Sequence, residues 1–163
     1  MPLPLMNCRA RALKIAALAG VLSLGMSPAR ADNPFDNMRG NWTGGGTVTL
    51  SSGVQERIRC GASYQPSGPS VRMALRCASD SYKVELTTDI TSSGGQLSGT
   101  WSEAQHQLQG DVTGSVTPGN IRASAKSPAF EASVNVRTTG SNQAITIQAP
   151  GTAISDVAIA LKR

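Results

Sequence analysis

His106 is the sole histidine of the 163-residue chain, and Glu103 is the carboxylate closest before it. A histidine beside a carboxylate suits general acid–base chemistry, but only with a nucleophile or a metal at hand. Neither is marked. The chain contains no G-x-S-x-G, no H-E-x-x-H and no P-loop. A Ser-His-Asp set is defined by geometry that sequence does not supply, so no residue is nominated as catalytic. A metal would have to be held mainly by carboxylates, because there is one imidazole and Cys60 and Cys77 are expected to pair with each other. The expectation is therefore no metal site and no cofactor, with His106 at a strand end on the surface.

Two other groups of residues suit binding better than reaction. Arg57, Arg59, Arg72 and Arg76 fall on one polar face of two neighbouring segments, where Arg59 and Arg76 would centre a small anion-binding patch. The same register brings Arg57 near Asp80 and Arg76 within diagonal reach of Glu85, which leaves an ordinary solvated face as the competing reading. Trp42, Tyr82 and Trp101 are three of the few aromatic residues, and each falls on the apolar side of its segment. They are the candidate ligand-binding residues, against the plainer alternative that a tryptophan on such a face is core packing.

These residues must be positioned by strands. Tyr82, Val84, Leu86 and Ile90 alternate with Lys83, Glu85, Thr87 and Asp89, a period of two that marks a half-buried strand. Val71, Met73, Leu75 and Cys77 alternate in the same way, as do Phe130, Ala132, Val134 and Val136. Between such runs lie turn formers, among them Pro66-Ser67-Gly68-Pro69, Ser92-Ser93-Gly94-Gly95, Thr117-Pro118-Gly119-Asn120 and Gly140-Ser141-Asn142. About ten strands are expected, over 41–50, 55–64, 70–78, 81–90, 96–104, 107–116, 120–127, 129–138, 143–149 and 155–162. The fold class is all-β: an up-and-down antiparallel meander closing into a small barrel or a flattened sandwich. A loop centred on 66–69 would set Cys60 opposite Cys77 on the apolar face.

Residues 1–31 read as a cleavable secretion signal. Arg9, Arg11 and Lys14 precede the uncharged run Ile15 to Met26, which is too short to span a bilayer, and Ala29 and Ala31 form an A-x-A cleavage site. Cys8 precedes the apolar run, so no lipid anchor is implied. Four of the fifteen basic residues leave with this segment and no acid does, so eleven cations face ten acids and the net charge falls from +5 to +1. The basic balance of the whole chain thus carries no argument for nucleic acid. Residues 32–40 form an N-terminal segment and 41–163 the all-β domain. Cys60 and Cys77 would reach an oxidising compartment, periplasmic or secreted, as a bonded pair.

Gly40-Asn41-Trp42 resembles the G-x-W that opens the barrel of lipocalins and related small β-barrels. The resemblance implies a tryptophan sealing the closed end of a barrel whose other end admits an apolar ligand. Thr88-Asp89 is a partial match for that family's later T-D-Y, and Lys162-Arg163 is an ambiguous match for its arginine. No helix follows the last strand, which departs from lipocalins proper. Avidin-like barrels and small bacterial protease-inhibitor barrels also begin on a tryptophan strand, so the motif marks a shape more than an activity. The whole chain also resembles small exported bacterial β-barrel proteins that are themselves uncharacterised, which implies a compartment and no activity.

An outer-membrane barrel is the other exported meander, and composition argues against it. Such barrels need aromatic girdles and a lipid-facing apolar band, whereas only six aromatics follow residue 31 and the chain ends Leu161-Lys162-Arg163. Two functional classes remain, neither of them enzymatic. One is a binding module for an apolar small molecule, with Gly44, Gly46, Gly99, Gly110, Gly114, Ala123, Ala125 and Ala132 leaving room on the inward face, unless they serve tight strand coiling instead. The other is a cavity-free envelope interaction or inhibitor protein that presents loops to a protein partner. The oligomeric state is open at this level.

Overall fold

The alternation seen in the sequence folds as strands throughout. The computed structural model describes residues 33–163, so the secretion-signal reading of 1–31 lies outside the described residues. The strands are β1 (Gly40–Leu50), β2 (Gln55–Ser67), β3 (Ser70–Ala78), β4 (Lys83–Ser93) and β5 (Gln96–Glu103), followed by β6 (Leu108–Thr117), β7 (Asn120–Lys126), β8 (Glu131–Thr139), β9 (Asn142–Gln148) and β10 (Ile154–Lys162). Each pairs antiparallel with its neighbours in sequence, and β1 also pairs with β10 from Thr43↔Lys162 to Leu50↔Ile154. That last ladder closes a barrel and decides against the flattened sandwich. It also leaves no strand edge open for pairing with another chain.

Two expected boundaries move, each for a local reason. β2 runs on to Ser67 through Pro66, which pairs with Val71. β1 stops at Gly40 opposite Tyr64, so β2 has no neighbour on that side beyond Tyr64 and the missing proline N–H costs little there. The turn is only Gly68-Pro69. β4 begins at Lys83 rather than 81, because the chain turns through Tyr82: the Ser79 and Tyr82 backbones bond at 2.8 Å, and Ser79 Oγ accepts the Tyr82 N–H at 2.9 Å.

The barrel has unlike ends. At one end two-residue turns, such as Gly94-Gly95 and Gly140-Ser141, join the strands, with φ of +57° at Gly94 and +58° at Gly140, a region where side chains are strained. The segment before β1 closes that end, with Phe35 and Met38 on a short 3-10 turn (Asp36–Met38) and both fully buried. At the other end the connections are the longer loops 51–54, 79–82, 104–107, 127–130 and 149–153.

Apolar side chains face inward and polar ones outward, and the described residues expose a single large hydrophobic, Val54. This is the reverse of a barrel facing lipid. Among the described residues no helix is long and apolar enough to cross a membrane. Cys60 and Cys77 are direct cross-strand partners and form a disulfide on the inward face. The pairing expected from the hydrophobic register is the one observed.

The inward glycines serve strand coiling. A Cβ on Gly44 would lie 2.0 Å from the Ala160 carbonyl oxygen, and one on Gly46 only 1.8 Å from that of Ala158. Neighbouring strands therefore approach where only glycine fits, beside the large inward residues Leu161 and Ile159 that pair with these positions. Of the two readings of these glycines, the structure supports coiling.

Candidate functional site

The floor of the interior is built from residues at the closed end. Trp42 is wholly buried and its indole N–H donates to the Met38 carbonyl at 2.7 Å. The Arg163 guanidinium lies 4.9 Å from the Trp42 ring centroid and donates to the Arg39 carbonyl at 2.8 Å. Of the terminal pair Lys162-Arg163, it is Arg163 that packs on the buried tryptophan at this end. Next to it the Tyr64 hydroxyl donates to Gln143 Oε1 at 2.7 Å, and Gln143 Nε2 donates to Thr138 Oγ1 at 3.0 Å. Burial pushes the Tyr64 phenol well above its ordinary range, against a smaller downward pull from the Gln143 bond. Every polar group named here has a partner.

The walls above this floor are different. Met73, Leu86, Ile90, Ala123, Val134, Val136, Ile147 and Val157 share the inward alternation of buried neighbours, yet each is only half-buried. These residues lie along strands whose sides are covered by paired neighbours. A barrel packed solid would bury them.

Trp101 also faces inward, 7% exposed, and its ring packs against Phe130 of the 127–130 loop with centroids 5.8 Å apart. Its cross-strand partner on β4 is Thr88, 6% exposed. Thr88 Oγ1 and Trp101 Nε1 are both buried and neither has a hydrogen-bond partner. On the other side Trp101 faces Gly110, where a Cβ would come within 2.9 Å of the indole nitrogen and 1.8 Å of the Lys126 carbonyl oxygen.

At the rim of the loop end stands Glu103, the last inward residue of β5. Oε1 accepts the N–H groups of Glu85 at 2.9 Å and Gln105 at 3.0 Å, while Oε2 accepts the His106 N–H at 2.7 Å and His106 Nδ1 at 2.8 Å. Burial alone would raise this carboxyl, but the hydrogen bonds to the three backbone N–H groups and to the imidazole outweigh it and hold Glu103 below the ordinary glutamate range. His106 is therefore the exposed turn residue expected, but one tied to Glu103. The carboxylate is saturated and pins the β5–β6 turn.

The three sequence candidates for ligand binding occupy different levels: Trp42 the floor, Trp101 the wall and Tyr82 the rim. Tyr82 is not a β4 residue with an inward place in the ladder, as the alternation had suggested, but part of the 79–82 loop. Arg59 and Arg76 do lie on the outer face. Arg76 stands directly opposite Glu85 rather than diagonal to it, with Nε 3.9 Å from Oε1, and Arg72 bonds Asp89 at 2.7 Å. Among the described residues neither Arg57 nor Arg59 forms an ion pair, Arg57 with Asp80 included. Two of the four charges are already neutralised on an exposed face.

Tyr64 and Gln143 were not singled out from the sequence, and Thr88 and Glu103 were named there for other reasons than an inward place. The available signal was parity: Thr88 shares the alternation of Leu86 and Ile90, Glu103 that of Leu97 and Trp101, and Gln143 that of Ile145. A polar residue in an apolar row is the mark of an inward polar group. The surface grooves are weaker candidates. One, of about 500 Å³ beside Asn33 and Pro34, is walled by the turns Gly68-Pro69 and Gly94-Gly95 and by Pro118, with no converging side-chain donors.

No protein-family model matches the sequence, and no curated protein matches it. Among solved structures the fold is similar to Rv2717c from M. tuberculosis, with a TM-score of 0.63 and 14% identity over 79% of this chain and 94% of that one. It is also similar to the S-type phycobiliprotein lyase CPES from Guillardia theta, with a TM-score of 0.52 and 11% identity over 78% of this chain and 88% of that one. At such identities the likeness establishes the fold alone, a closed antiparallel β-barrel.

Proposed function

We propose that this domain is an exported binding barrel that holds an apolar small molecule in its interior, entered from the loop end. One observation carries the reading: the inward wall above Trp42 is lined by apolar residues that are only partly buried in a closed barrel. Covering that wall with a guest removes apolar surface from water, worth roughly 25 cal/mol per Å² before the costs of association. Trp101 stands on the wall and Tyr82 at the rim, with Trp42 as the floor. The role is binding rather than catalysis, since the buried Glu103 carboxylate is already occupied by four donors. That a similar barrel is named a phycobiliprotein lyase is in keeping with a fold that handles small molecules.

The test is native mass spectrometry of protein purified from its own compartment, followed by tryptophan fluorescence with the released molecule. A bound small molecule that quenches or shifts the emission is expected, with Trp101→Ala weakening binding more than Arg76→Ala. A protein that carries nothing and responds to no lipid or aromatic metabolite would favour the loop-presenting interaction protein. Export through residues 1–31 belongs to the same proposal. The disulfide is compatible with an oxidising compartment, and an N-terminus at Asp32 is the expected result of sequencing the exported protein.

A further inference from the structure

We propose that the guest carries a neutral hydrogen-bond acceptor, such as a ketone, ester or amide oxygen, that bonds to Trp101 Nε1 and Thr88 Oγ1 inside the barrel. The inference rests on the interior-binding reading and narrows it. Thr88 and Trp101 are directly paired across β4 and β5, both more than nine-tenths buried on the inward face, and their polar atoms have no partner. Unpaired buried polar atoms are uncommon, because each gives up its water without compensation. Among the described residues these are the two fully buried side-chain polar atoms without a partner, whereas Trp42 and Tyr64 at the floor and Glu103 at the rim are bonded. The two orphans are also flanked by accessible inward positions: Met73 is the other cross-strand partner of Thr88, with Leu86 and Ile90 on the same strand.

The chemistry of the pair sets the polarity of the guest. An indole N–H can only donate, so the guest must accept, and a threonine hydroxyl turns about one bond to donate as well. The charge of the guest follows from what else faces inward. Among the described residues no Lys, Arg or His occupies an inward strand position, while the inward acids are Glu56 and Glu103. A carboxylate placed at Thr88 and Trp101 would be an anion in an apolar interior with no cation beside it and an acid at the rim. A neutral oxygen meets no such penalty.

Equilibrium dialysis with three probes of one shape tests this: ethylnaphthalene, acetylnaphthalene and naphthoate at neutral pH. Acetylnaphthalene should bind roughly tenfold tighter than ethylnaphthalene, the worth of one to two net hydrogen bonds, and naphthoate should bind weakest. Thr88→Val, which keeps the shape and removes the hydroxyl, should erase most of the ketone preference while leaving ethylnaphthalene within about twofold, a change too small to signal a lost hydrogen bond. Trp101→Phe should also lower the ketone preference, while weakening all three probes because the ring is part of the wall, and Thr88→Ser should retain the preference. Without ligand Thr88→Val should melt about 4 °C higher, because it removes an unpaired buried hydroxyl. Equal binding of ketone and hydrocarbon, tightest binding of naphthoate, or a preference that survives Thr88→Val would each overturn the inference and leave the cavity reading standing. If none of the three probes binds, the cavity reading falls with it.

Discussion

Glu103→Gln should destabilise the barrel at neutral pH by about 3 kcal/mol, and the loss should vanish in acid. The amide keeps an oxygen for the Glu85 and Gln105 N–H groups, but it sets an NH2 where Oε2 now accepts from the His106 backbone and Nδ1. Two charge-assisted bonds are lost, each worth about 1.5 kcal/mol at the lower end of their range. On a domain of this size that lowers the Tm by roughly 10 °C. The pH dependence has a definite sign. The folded-state carboxyl sits below its ordinary value of 4.5, so its contribution is complete above that value and is lost as the pH falls through the folded one. Protonated Glu103 presents an O–H donor where the amide presents N–H, so wild type and variant should converge. Urea denaturation of both proteins at pH 7 and near pH 3 measures this. A cost that is equal at the two pH values, or below about 0.5 kcal/mol at pH 7, the floor for a single net hydrogen bond, would refute the assignment of Glu103 as the anchor of the β5–β6 turn.

Three further perturbations test the frame around the interior. Replacing both Cys60 and Cys77 by serine should cost about 3 kcal/mol in chemical denaturation, since the bond closes a loop with a sequence separation of 17. Gly46→Ala should cost about 2–3 kcal/mol or prevent folding, because its Cβ would lie 1.8 Å from the Ala158 carbonyl oxygen and the β1–β10 seam would have to open. Circular dichroism melts read the outcome. Tyr64→Phe should cost about 1–2 kcal/mol by leaving Gln143 Oε1 unpaired. In the wild type, stability should decline as the pH rises above 10, because Tyr64 is held protonated in the fold and released in the unfolded chain.

The strands were legible because their signal is local. Alternation across Val71–Cys77 or Lys83–Ile90 reports which side of a pleated strand meets water, and glycine-containing turn formers report where the chain reverses. The disulfide was legible for the same reason, since one hairpin register sets Cys60 opposite Cys77. Closure into a barrel was expected but left beside a flattened sandwich, because the seam joins Thr43–Leu50 to Ile154–Lys162, segments from the two ends of the domain whose pairing depends on the summed twist of eight intervening strands. Nor could the role of the inward glycines be read off, since a small side chain is equally suited to a void and to a close approach. The candidate site divides the same way. Sequence placed Trp42 and Trp101 on the apolar face, while the apolar rows that contain Thr88, Glu103 and Gln143 were not read as marking inward polar groups. Which of those polar groups would find a partner is a matter of three-dimensional neighbours: Gln143 meets Tyr64 from 79 residues away, Glu103 meets its own turn, and the Thr88 hydroxyl and Trp101 indole N–H meet no partner. Hydrogen bonds hold over about 3 Å and depend on angle, so their fate is decided by the curvature of the closed sheet and not by the order of residues along it.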